Sequence, residues 1–267
     1  RRLWHRQTER PVVLQLGGDD PAQLAAAVRH AAPYGYSEVN LNCGCPSDRV
    51  QSGTFGAVLM RSPAVVADCV GAMRDAVDVE VTVKCRIGVD EQDPHQLLPE
   101  FLSRIVAAGC ERVTIHARKA WLRGLSPKEN RDVPPLDYPL VMQMKEYFPN
   151  LHITINGGIT SLDHAEAMLE AGLDGVMIGR AAYHQPADIL CCADRRIFGQ
   201  CLDTTAEDAV AAMLPYIETH LASGGRLHQV TRHMLGLFAG RPGARAWRRM
   251  LSEGATNPGA GPELVEA

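Results

Sequence analysis

Short runs of β-branched and other apolar residues recur up to residue 179, separated by Ala-rich stretches with helical periodicity. The runs predict six strands: VVLQL (12–16), EVNLN (38–42), VEVTVKC (79–85), RVTIH (112–116), HITIN (152–156) and DGVMIG (174–179). Strands that alternate with helices indicate right-handed βαβ units and a parallel sheet. Three of the helices are predicted to end at a glycine just before the next strand, at Gly35, Gly109 and Gly172.

The pattern changes after about Ile197, beyond which no strand is predicted. AEDAVAAMLPYIETHLASG and LHQVTRHMLGLFAG predict packed helices, so we expect an α/β domain over residues 1–197 and a small all-helical domain over residues 204–267. The final NPGAGPELVEA is expected to fray. Six strands fit either an open doubly wound sheet or a (β/α)8 barrel that lacks its first two strands, and the pattern alone leaves both open.

Composition places the chain among ordinary globular proteins, with 267 residues, 46% of them hydrophobic and 22% charged. No apolar run approaches the ~18–20 residues of a membrane span, and no charged-then-apolar leader opens the sequence. We therefore expect a cytoplasmic protein with no membrane association. The eight cysteines form no C-x-x-C pair, which argues against a zinc site. A chain of this size with a large apolar core does not need a disulfide framework, so we expect none.

The net charge of −4 alone argues against nucleic-acid binding, but the distribution of charge along the chain argues otherwise. Six Lys or Arg residues and one acid lie between Arg112 and Arg131, and six arginines with no acid lie between Thr219 and Ser252. An acidic chain with two basic stretches indicates a local anionic partner, although solvated helix or loop faces remain the alternative.

Each predicted strand ends near a polar residue: Gln15, Asn42, Lys84, His116, Asn156 and Arg180. In parallel α/β proteins the carboxyl ends of the strands surround the active site. Asn156-Gly157-Gly158 and Gly179-Arg180 suit a phosphate, because glycine lets backbone N–H groups approach an anion. Two tight turns are the alternative. The pair Cys43 and Cys45 directly follows the second strand and could be a metal clip, half of a disulfide or a catalytic thiol.

Long motifs in the chain resemble the tRNA-dihydrouridine synthases, and most closely their A subgroup. The motifs are NLNCGCPSDRVQSGTFGAVLM, VTVKCRIG, HARKAWLRGLSPKENRDVPPLDY, INGGI, GVMIGRAAY and TRHMLGLFAGRPGARAWRRML, which span about Arg10 to Ser252. The resemblance implies an FMN-binding (β/α)8 barrel of the TIM type, followed by a C-terminal helical domain that binds tRNA. It also implies action as a monomer.

The same resemblance implies a mechanism. NADPH reduces FMN, flavin N5 delivers hydride to C6 of a uridine at position 20 or 20a of the D-loop, and Cys45 donates a proton to C5. A thiol with a pKa of about 8.5 is mostly protonated at neutral pH, as a proton donor must be. Cys43 is expected to be a packing residue, and no metal is expected.

The remaining site residues also follow from the resemblance. Positions that match FMN-binding residues are Gln15, Lys84, His116, Asn156, Gly157, Gly158, Gly179 and Arg180. Asn42 matches a residue that touches the substrate nucleotide. The basic residues expected to contact tRNA are Arg118, Lys119 and Arg123 on the loop after His116, and Arg245 and Arg248 in the helical domain.

The sequence departs from the family pattern at its start, where the first strand with its Ala-Pro-Met motif and the second strand are absent, so we expect an N-terminally truncated barrel. Val58 stands where relatives usually carry a cysteine. Two other hypotheses stay open: a flavin barrel oxidoreductase that acts on a free small molecule, and an inactive tRNA-binding fragment.

Overall fold

The computed structural model describes residues 3–47 and 55–266, so residues 48–54 of the motif after the second strand lie outside the described part. Six parallel strands form one sheet: β1 Val13–Leu16, β2 Glu38–Cys43, β3 Glu80–Arg86, β4 Arg112–His116, β5 His152–Asn156 and β6 Gly175–Met177. All six lie within two residues of the bounds predicted from the sequence. The glycines predicted to end three helices, Gly35, Gly109 and Gly172, have positive φ angles, which confirms that prediction.

Helices connect consecutive strands. They are α1 Pro21–Ala31, α2 Pro63–Arg74, α3 Pro94–Ala107, α4 Tyr138–Tyr147 and α5 Leu162–Glu170. Short 3-10 helices occupy Gln7–Glu9, Ala32–Tyr34, Gly56–Arg61, Glu129–Arg131 and Gly254–Thr256. The helices α1 and α3 begin at Asp20 and Asp93, whose carboxylates accept hydrogen bonds from the backbone N–H groups of Gln23 and His95.

The strand order in the sheet is β1-β2-β3-β4-β5-β6, the same as the order in the chain. A doubly wound sheet reverses its strand order at the point where ligands bind, whereas a barrel adds each new strand on the same side of the last. The observed order therefore selects the TIM-barrel type of α/β architecture and confirms the predicted fold class.

The inner strands have one apolar and one polar face. The apolar side chains of β2–β5 are at most 2% exposed and pack with the helices: Val39, Leu41, Cys43, Val81, Val83, Cys85, Val113, Ile115, Ile153 and Ile155. Each such burial contributes about 1.5–3 kcal/mol for a large aliphatic side chain. The alternating positions carry the polar side chains Gln15, Asn40, Asn42, Thr82, Lys84, Thr114, His116, Thr154 and Asn156. The strands therefore place their polar side chains on one surface of the sheet.

The described chain divides into two compact units. One consists of Arg1–Gly158 with Met168–Met177, and the other of Ile159–Ala167 with Ile178–Ala267. The boundary between domains predicted at residues 197–204 stays a prediction. Within the described residues, no helix is both long and apolar enough to cross a membrane.

The second unit contains α6 Arg180–His184, α7 Pro186–Leu190, α8 Ala193–Phe198, α9 Ala206–Ala222, α10 His228–Thr231, α11 Ala244–Glu253 and α12 Glu263–Glu266. A capping box between Thr205 and Asp208 starts α9. The core includes Ile217, Leu227, Val230, Met234 and Leu251. No strand occurs in the described residues after Met177, as the sequence predicted for the region beyond Ile197.

Two local predictions in this unit were wrong. The stretch LHQVTRHMLGLFAG is helical only over His228–Thr231, and turns follow. A Cβ atom at Gly236 would lie 2.2 Å from the carbonyl oxygen of His184, so the backbone approaches another segment too closely for an ordinary helix surface. The tail expected to fray forms a helix over Glu263–Glu266, α12, which packs Val265, only 2% exposed, into the core.

Candidate active site at the carboxyl ends of the strands

The strand register brings several predicted site residues side by side at the carboxyl ends of the first unit. Asn42 of β2 lies opposite Lys84 of β3. Arg86 of β3 lies opposite His116 of β4, which in turn lies opposite Asn156 of β5. Asn42 and Lys84 therefore share one row of the sheet, and Arg86, His116 and Asn156 share the row two residues further on. Because the strands are parallel, residues as far apart in the chain as Asn42 and Asn156 lie at the same end of the sheet.

A hydrogen-bond network joins the polar side chains of β1–β3. The Gln15 amide donates to Asn40 Oδ1 at 2.8 Å, and the Asn40 amide donates to Thr82 Oγ1 at 2.7 Å. The Asn42 amide donates to Gln15 Oε1 at 3.3 Å. Both ends of the exposed Gln15 side chain therefore contact protein groups, which limits its capacity to bind a cofactor as the sequence predicted.

Cys45 lies on a tight turn just beyond β2. Asn42 Oδ1 accepts hydrogen bonds from the backbone N–H groups of Gly44 at 3.0 Å and Cys45 at 3.1 Å, an Asx-type turn. The carbonyl of Cys45 accepts from the Ala57 N–H at 2.9 Å. The partly buried Cys45 thiol donates to Ser47 Oγ at 3.4 Å. The turn therefore presents this thiol beside the polar end of the sheet.

Cys43 lies in a different environment from Cys45. It is on the apolar face, 0% exposed, and opposite Cys85 in the register. Burial, followed by the neighbouring thiol of Cys85, raises the pKa of Cys43 well above its ordinary value, so this thiol stays protonated and inert. Within residues 3–47 and 55–266, no group of three or more His, Cys, Asp or Glu side chains is placed to hold a metal ion.

Lys84 carries a positive charge that no described residue neutralises. Its side chain is partly buried, and among the described residues its ammonium group has neither a carboxylate nor a hydrogen-bond partner. Burial, and then the neighbouring Arg86 guanidinium, lower its pKa from 10.5 to about 8. A mostly protonated, uncompensated ammonium at neutral pH provides a place for an anionic or electron-rich ligand.

The turn after β5 requires glycine at two positions. Gly157 and Gly158 have φ angles of 109° and 72°. A Cβ at Gly157 would lie 3.2 Å from His116 Nε2, and one at Gly158 would lie 2.6 Å from Leu136. The Tyr138 hydroxyl donates to the Gly157 carbonyl at 2.7 Å and holds the turn in place.

Asn156 and the pair Gly179-Arg180, also predicted to bind the cofactor, are not part of the glycine turn itself. The Asn156 amide donates to the Met177 carbonyl at 2.8 Å, so its side-chain carbonyl oxygen is the end that has no protein partner among the described residues. Gly179 and Arg180 belong to the second unit, where Gly179 is the N-cap of α6 and both residues are exposed. Their predicted role in phosphate binding stays a prediction.

The three basic residues predicted on the loop after β4 have different surroundings. Arg118 donates to the Pro134 carbonyl, and Lys119 Nζ lies 5.4 Å from the centre of the Trp121 ring, a cation–π distance. Arg123 is exposed. Of the three, Arg123 is therefore the side chain most available to an external phosphate.

In the second unit, α11 presents its arginines to solvent. Arg245 and Arg248 are exposed, whereas Trp247 donates from Nε1 to the Met234 carbonyl at 3.0 Å and packs edge-on against Phe238 with ring centres 4.9 Å apart. Trp247 is therefore a packing residue in this structure.

Reading the sequence for polar strand ends missed three residues that organise the loops. Arg86 is 4% exposed and bonds to backbone carbonyls of two loops, and Asn130 is 0% exposed and bonds to the backbone of its own loop. Asp90, with a φ of 48°, accepts hydrogen bonds from the Leu122 N–H at 2.7 Å and from Arg61. Arg86 lies two residues after Lys84, so strand periodicity could have placed it on the polar face. Asn130 and Asp90 carry no comparable local signal.

The barrel-type fold and the thiol and ammonium groups at the carboxyl ends of its strands define the class of α/β barrel enzymes. The family described as dihydrouridine synthase matches residues 1–267, the whole chain. The chain therefore belongs to the dihydrouridine synthase family.

Individual relatives agree with this assignment. The tRNA-dihydrouridine(20/20a) synthase of Shewanella oneidensis is 57% identical over 265 residues, which cover 99% of this chain and 78% of that protein. Proteins of the same name from Salmonella typhi and Escherichia coli K12 are 57% and 56% identical, over 99% of this chain and 80% and 76% of their own lengths. These identities place the chain in the A subgroup of the family.

A solved structure of a chimera of (S)-mandelate dehydrogenase has a TM-score of 0.41 and 16% identity, and covers 64% of this chain and 52% of that chain. A likeness this slight carries no inference about function.

Proposed function

We propose that the chain is an oxidoreductase that reduces a uridine at position 20 or 20a of tRNA to 5,6-dihydrouridine, with FMN as cofactor and NADPH as reductant. The observation that carries the proposal is the placement of the Cys45 thiol on a fixed turn that Asn42, the register partner of Lys84, and Arg86 hold by hydrogen bonds. The names of relatives that are 56–57% identical supply the substrate.

The residues of the first unit fit a flavin. The Lys84 ammonium, with no anionic partner among the described residues, suits the electron-rich edge of a reduced flavin ring. The glycine turn at Gly157 and Gly158 suits a phosphate, because backbone of this conformation can expose N–H groups. His116 and Asn156 flank that turn by register and contact.

When bound, reduced FMN supplies the hydride that adds to C6 of the uracil ring. Cys45 holds the proton for C5 at its Sγ atom and delivers it to the opposite face of the ring. Asn42 fixes the turn that carries this thiol through its Oδ1 atom, which accepts both N–H groups of the turn. Its amide hydrogens remain the part of the side chain that can meet a nucleotide, beyond the contact with Gln15.

The tRNA must be held while its target base leaves the stack, which costs a few kcal/mol. We propose that Arg118, Lys119 and Arg123 contact tRNA phosphates in the first unit, and that Arg245 and Arg248 do so in the second. The same proposal takes the protein to act as a monomer in the cytoplasm, where tRNA is its partner.

The experiment uses purified chain supplied with FMN, NADPH and tRNA that lacks dihydrouridine. We expect mass spectrometry of nuclease fragments to show a gain of two hydrogens at position 20 or 20a. A yellow protein with flavin absorbance is the accompanying expectation.

Other outcomes support the alternatives. Reduction of a free pyrimidine without reduction of tRNA would favour a flavin oxidoreductase for small molecules. A colourless protein that binds tRNA without reducing it would favour an inactive tRNA-binding fragment.

A further inference from the structure

The turn that carries the Cys45 thiol consists of Gly44 and Cys45, and the N–H and carbonyl groups of both residues are hydrogen-bonded. The N–H groups of Gly44 and Cys45 both donate to Asn42 Oδ1, and the Cys45 carbonyl accepts from the Ala57 N–H at 2.9 Å. The fourth atom, the Gly44 carbonyl, accepts from Arg86 Nε at 3.2 Å. Four anchors on two residues leave the turn little freedom to move.

Arg86 is the anchor that reaches beyond the turn. Its Nη1 atom donates to the carbonyl of Asn130 at 2.7 Å and to that of Lys119 at 3.2 Å. One guanidinium therefore joins the Cys45 turn to two points on the loop after β4. Among the described residues, these three acceptors are all neutral carbonyls and none is a carboxylate, and Arg86 is 4% exposed.

Burying an arginine whose hydrogen-bond partners are neutral carbonyls costs free energy of desolvation that no opposite charge offsets. Such a residue is therefore a candidate for a functional role. Burial lowers the pKa of Arg86 from 12.5 to about 10, so the group is still charged at neutral pH and donates all of these bonds. Lysine could not replace it, since one ammonium on a flexible stem cannot hold three carbonyls in a fixed fork.

Asn130 stiffens the far end of this connection. Its side chain is 0% exposed, donates to the Trp121 carbonyl at 2.8 Å and accepts from the Trp121 N–H at 2.7 Å. It also donates to the Leu125 carbonyl at 3.1 Å. The loop that Arg86 contacts is therefore closed on itself, and it can serve as a rigid support.

We propose that Arg86 is a positioning residue that fixes the Sγ atom of Cys45 at the site of proton transfer by tying the Gly44 carbonyl to the loop after β4. The inference rests on the proposed function, because it assigns Arg86 to the proton-donating step of that reaction. A displacement of about 1 Å at a reacting group can cost roughly 100-fold in rate. The network prevents such a displacement.

The test compares Arg86→Lys with wild type in single turnovers of chemically reduced, FMN-loaded enzyme at saturating tRNA. We expect the rate of dihydrouridine formation to fall roughly 10- to 100-fold. We also expect the solvent deuterium isotope effect on that rate to increase, since transfer from a displaced thiol becomes more rate-limiting. Flavin content, the rate of flavin reduction by NADPH and the dissociation constant for tRNA should stay near wild-type values.

Arg112→Lys is the matched control. Arg112 begins β4, the neighbouring strand, where it pairs with Glu80 at 3.2 Å at the opposite end of the sheet. We expect its single-turnover rate and isotope effect to equal those of wild type.

Three results would overturn the proposal. A parallel loss of flavin content and rate with an unchanged isotope effect would make Arg86 a folding residue. A weaker tRNA affinity with a normal rate at saturation would make it a substrate-binding residue. A wild-type rate in Arg86→Lys would remove it from the mechanism while leaving the proposed function intact, whereas an inactive wild type would overturn the proposed function itself.

A second variant covers the case in which Arg86→Lys does not fold. Asn42→Ala frees the N–H groups of Gly44 and Cys45 from the other side of the turn. If the hydrogen bonds to the Gly44–Cys45 backbone position the thiol, this variant should also show a slower single turnover and a larger solvent isotope effect. An unchanged isotope effect in folded Asn42→Ala would count against a positioning role for these hydrogen bonds.

Discussion

Cys43 and Cys45 are two residues of one type in different environments. Cys43 ends β2 on the apolar face and is completely buried, and burial raises the pKa of its thiol. Cys45 lies two residues further, past the end of the strand, where the chain turns towards the polar face. Position relative to the strand end, and not residue type, therefore selects Cys45 as the candidate proton donor.

The buried ammonium group of Lys84 makes the stability of the protein depend on pH. Its folded pKa of about 8 lies below its ordinary 10.5, so between these values the unfolded chain binds more protons than the folded one, and stability contributed by this group rises with pH. Lys84→Met removes the buried charge. We expect the cofactor-free variant to be more stable than wild type by about 1–3 kcal/mol near neutral pH, with the difference shrinking above about pH 8.

Chemical denaturation at a series of pH values measures this difference. Lys128→Met, a replacement of an exposed lysine on the loop after β4, is the control and should show no pH-dependent difference. A difference between Lys84→Met and wild type that stays constant from neutral to alkaline pH would mean that Lys84 is not the titrating group.

Residues that bond to distant backbone explain most of what sequence reading missed in the site. Polar residues at strand ends, such as Lys84 and His116, are visible because the end of an apolar run marks them. Arg86 and Asn130 are recognisable only once the Gly44, Lys119 and Trp121 backbones are in place around them. No local pattern encodes which carbonyl a buried donor will reach.

At the scale of elements, the strands were predictable because two signals agree. β4 reads RVTIH, in which Val113 and Ile115 face the helices and Thr114 and His116 face the polar surface. The β-branched composition and the following polar loop both end the element at His116. The tail that carries α12 was not predictable, since its Gly- and Pro-rich sequence gives no sign that Val265 has a core to enter.

The turn after β5 has no room for a side chain at Gly158. A Cβ at Gly158 would lie 2.6 Å from Leu136 and 2.8 Å from the Tyr138 hydroxyl, at a φ of 72°. Gly158→Ala should therefore displace the turn and weaken FMN binding by about tenfold or more, measured by quenching of flavin fluorescence.

Gly172→Ala is the control for this substitution. Gly172 has a φ of 97°, but a Cβ there meets no atom within 4 Å. It shares the backbone strain without the clash, so we expect it to lower stability and leave FMN affinity unchanged. Equal FMN affinity in both variants and wild type would show that the turn does not bind the cofactor.

At the scale of the whole molecule, each of the two units carries its own basic surface on an acidic chain. The loop after β4 belongs to the first unit and α11 to the second. A large polyanion such as tRNA can engage several such surfaces at once, whereas a free nucleotide cannot.

Salt dependence measures the contribution of α11. Replacing Arg245 and Arg248 together with Ala should weaken tRNA binding and reduce the slope of log affinity against log salt by roughly 1.4–1.8, the value for two lost phosphate contacts. Arg29→Ala, which removes an exposed arginine of α1, should leave the slope unchanged. An unaltered slope in the double variant would exclude these two arginines from the tRNA interface.

The role of Cys45 as proton donor is tested most directly by the single-turnover rate of dihydrouridine formation in Cys45→Ala. We expect a fall of about 10²–10⁴-fold, because a general acid is lost, with flavin content and tRNA affinity retained. Cys201→Ser, which alters an exposed thiol in the second unit, should keep the wild-type rate. A Cys45→Ala enzyme that reduces tRNA as fast as wild type would contradict the assignment of Cys45 as the proton donor.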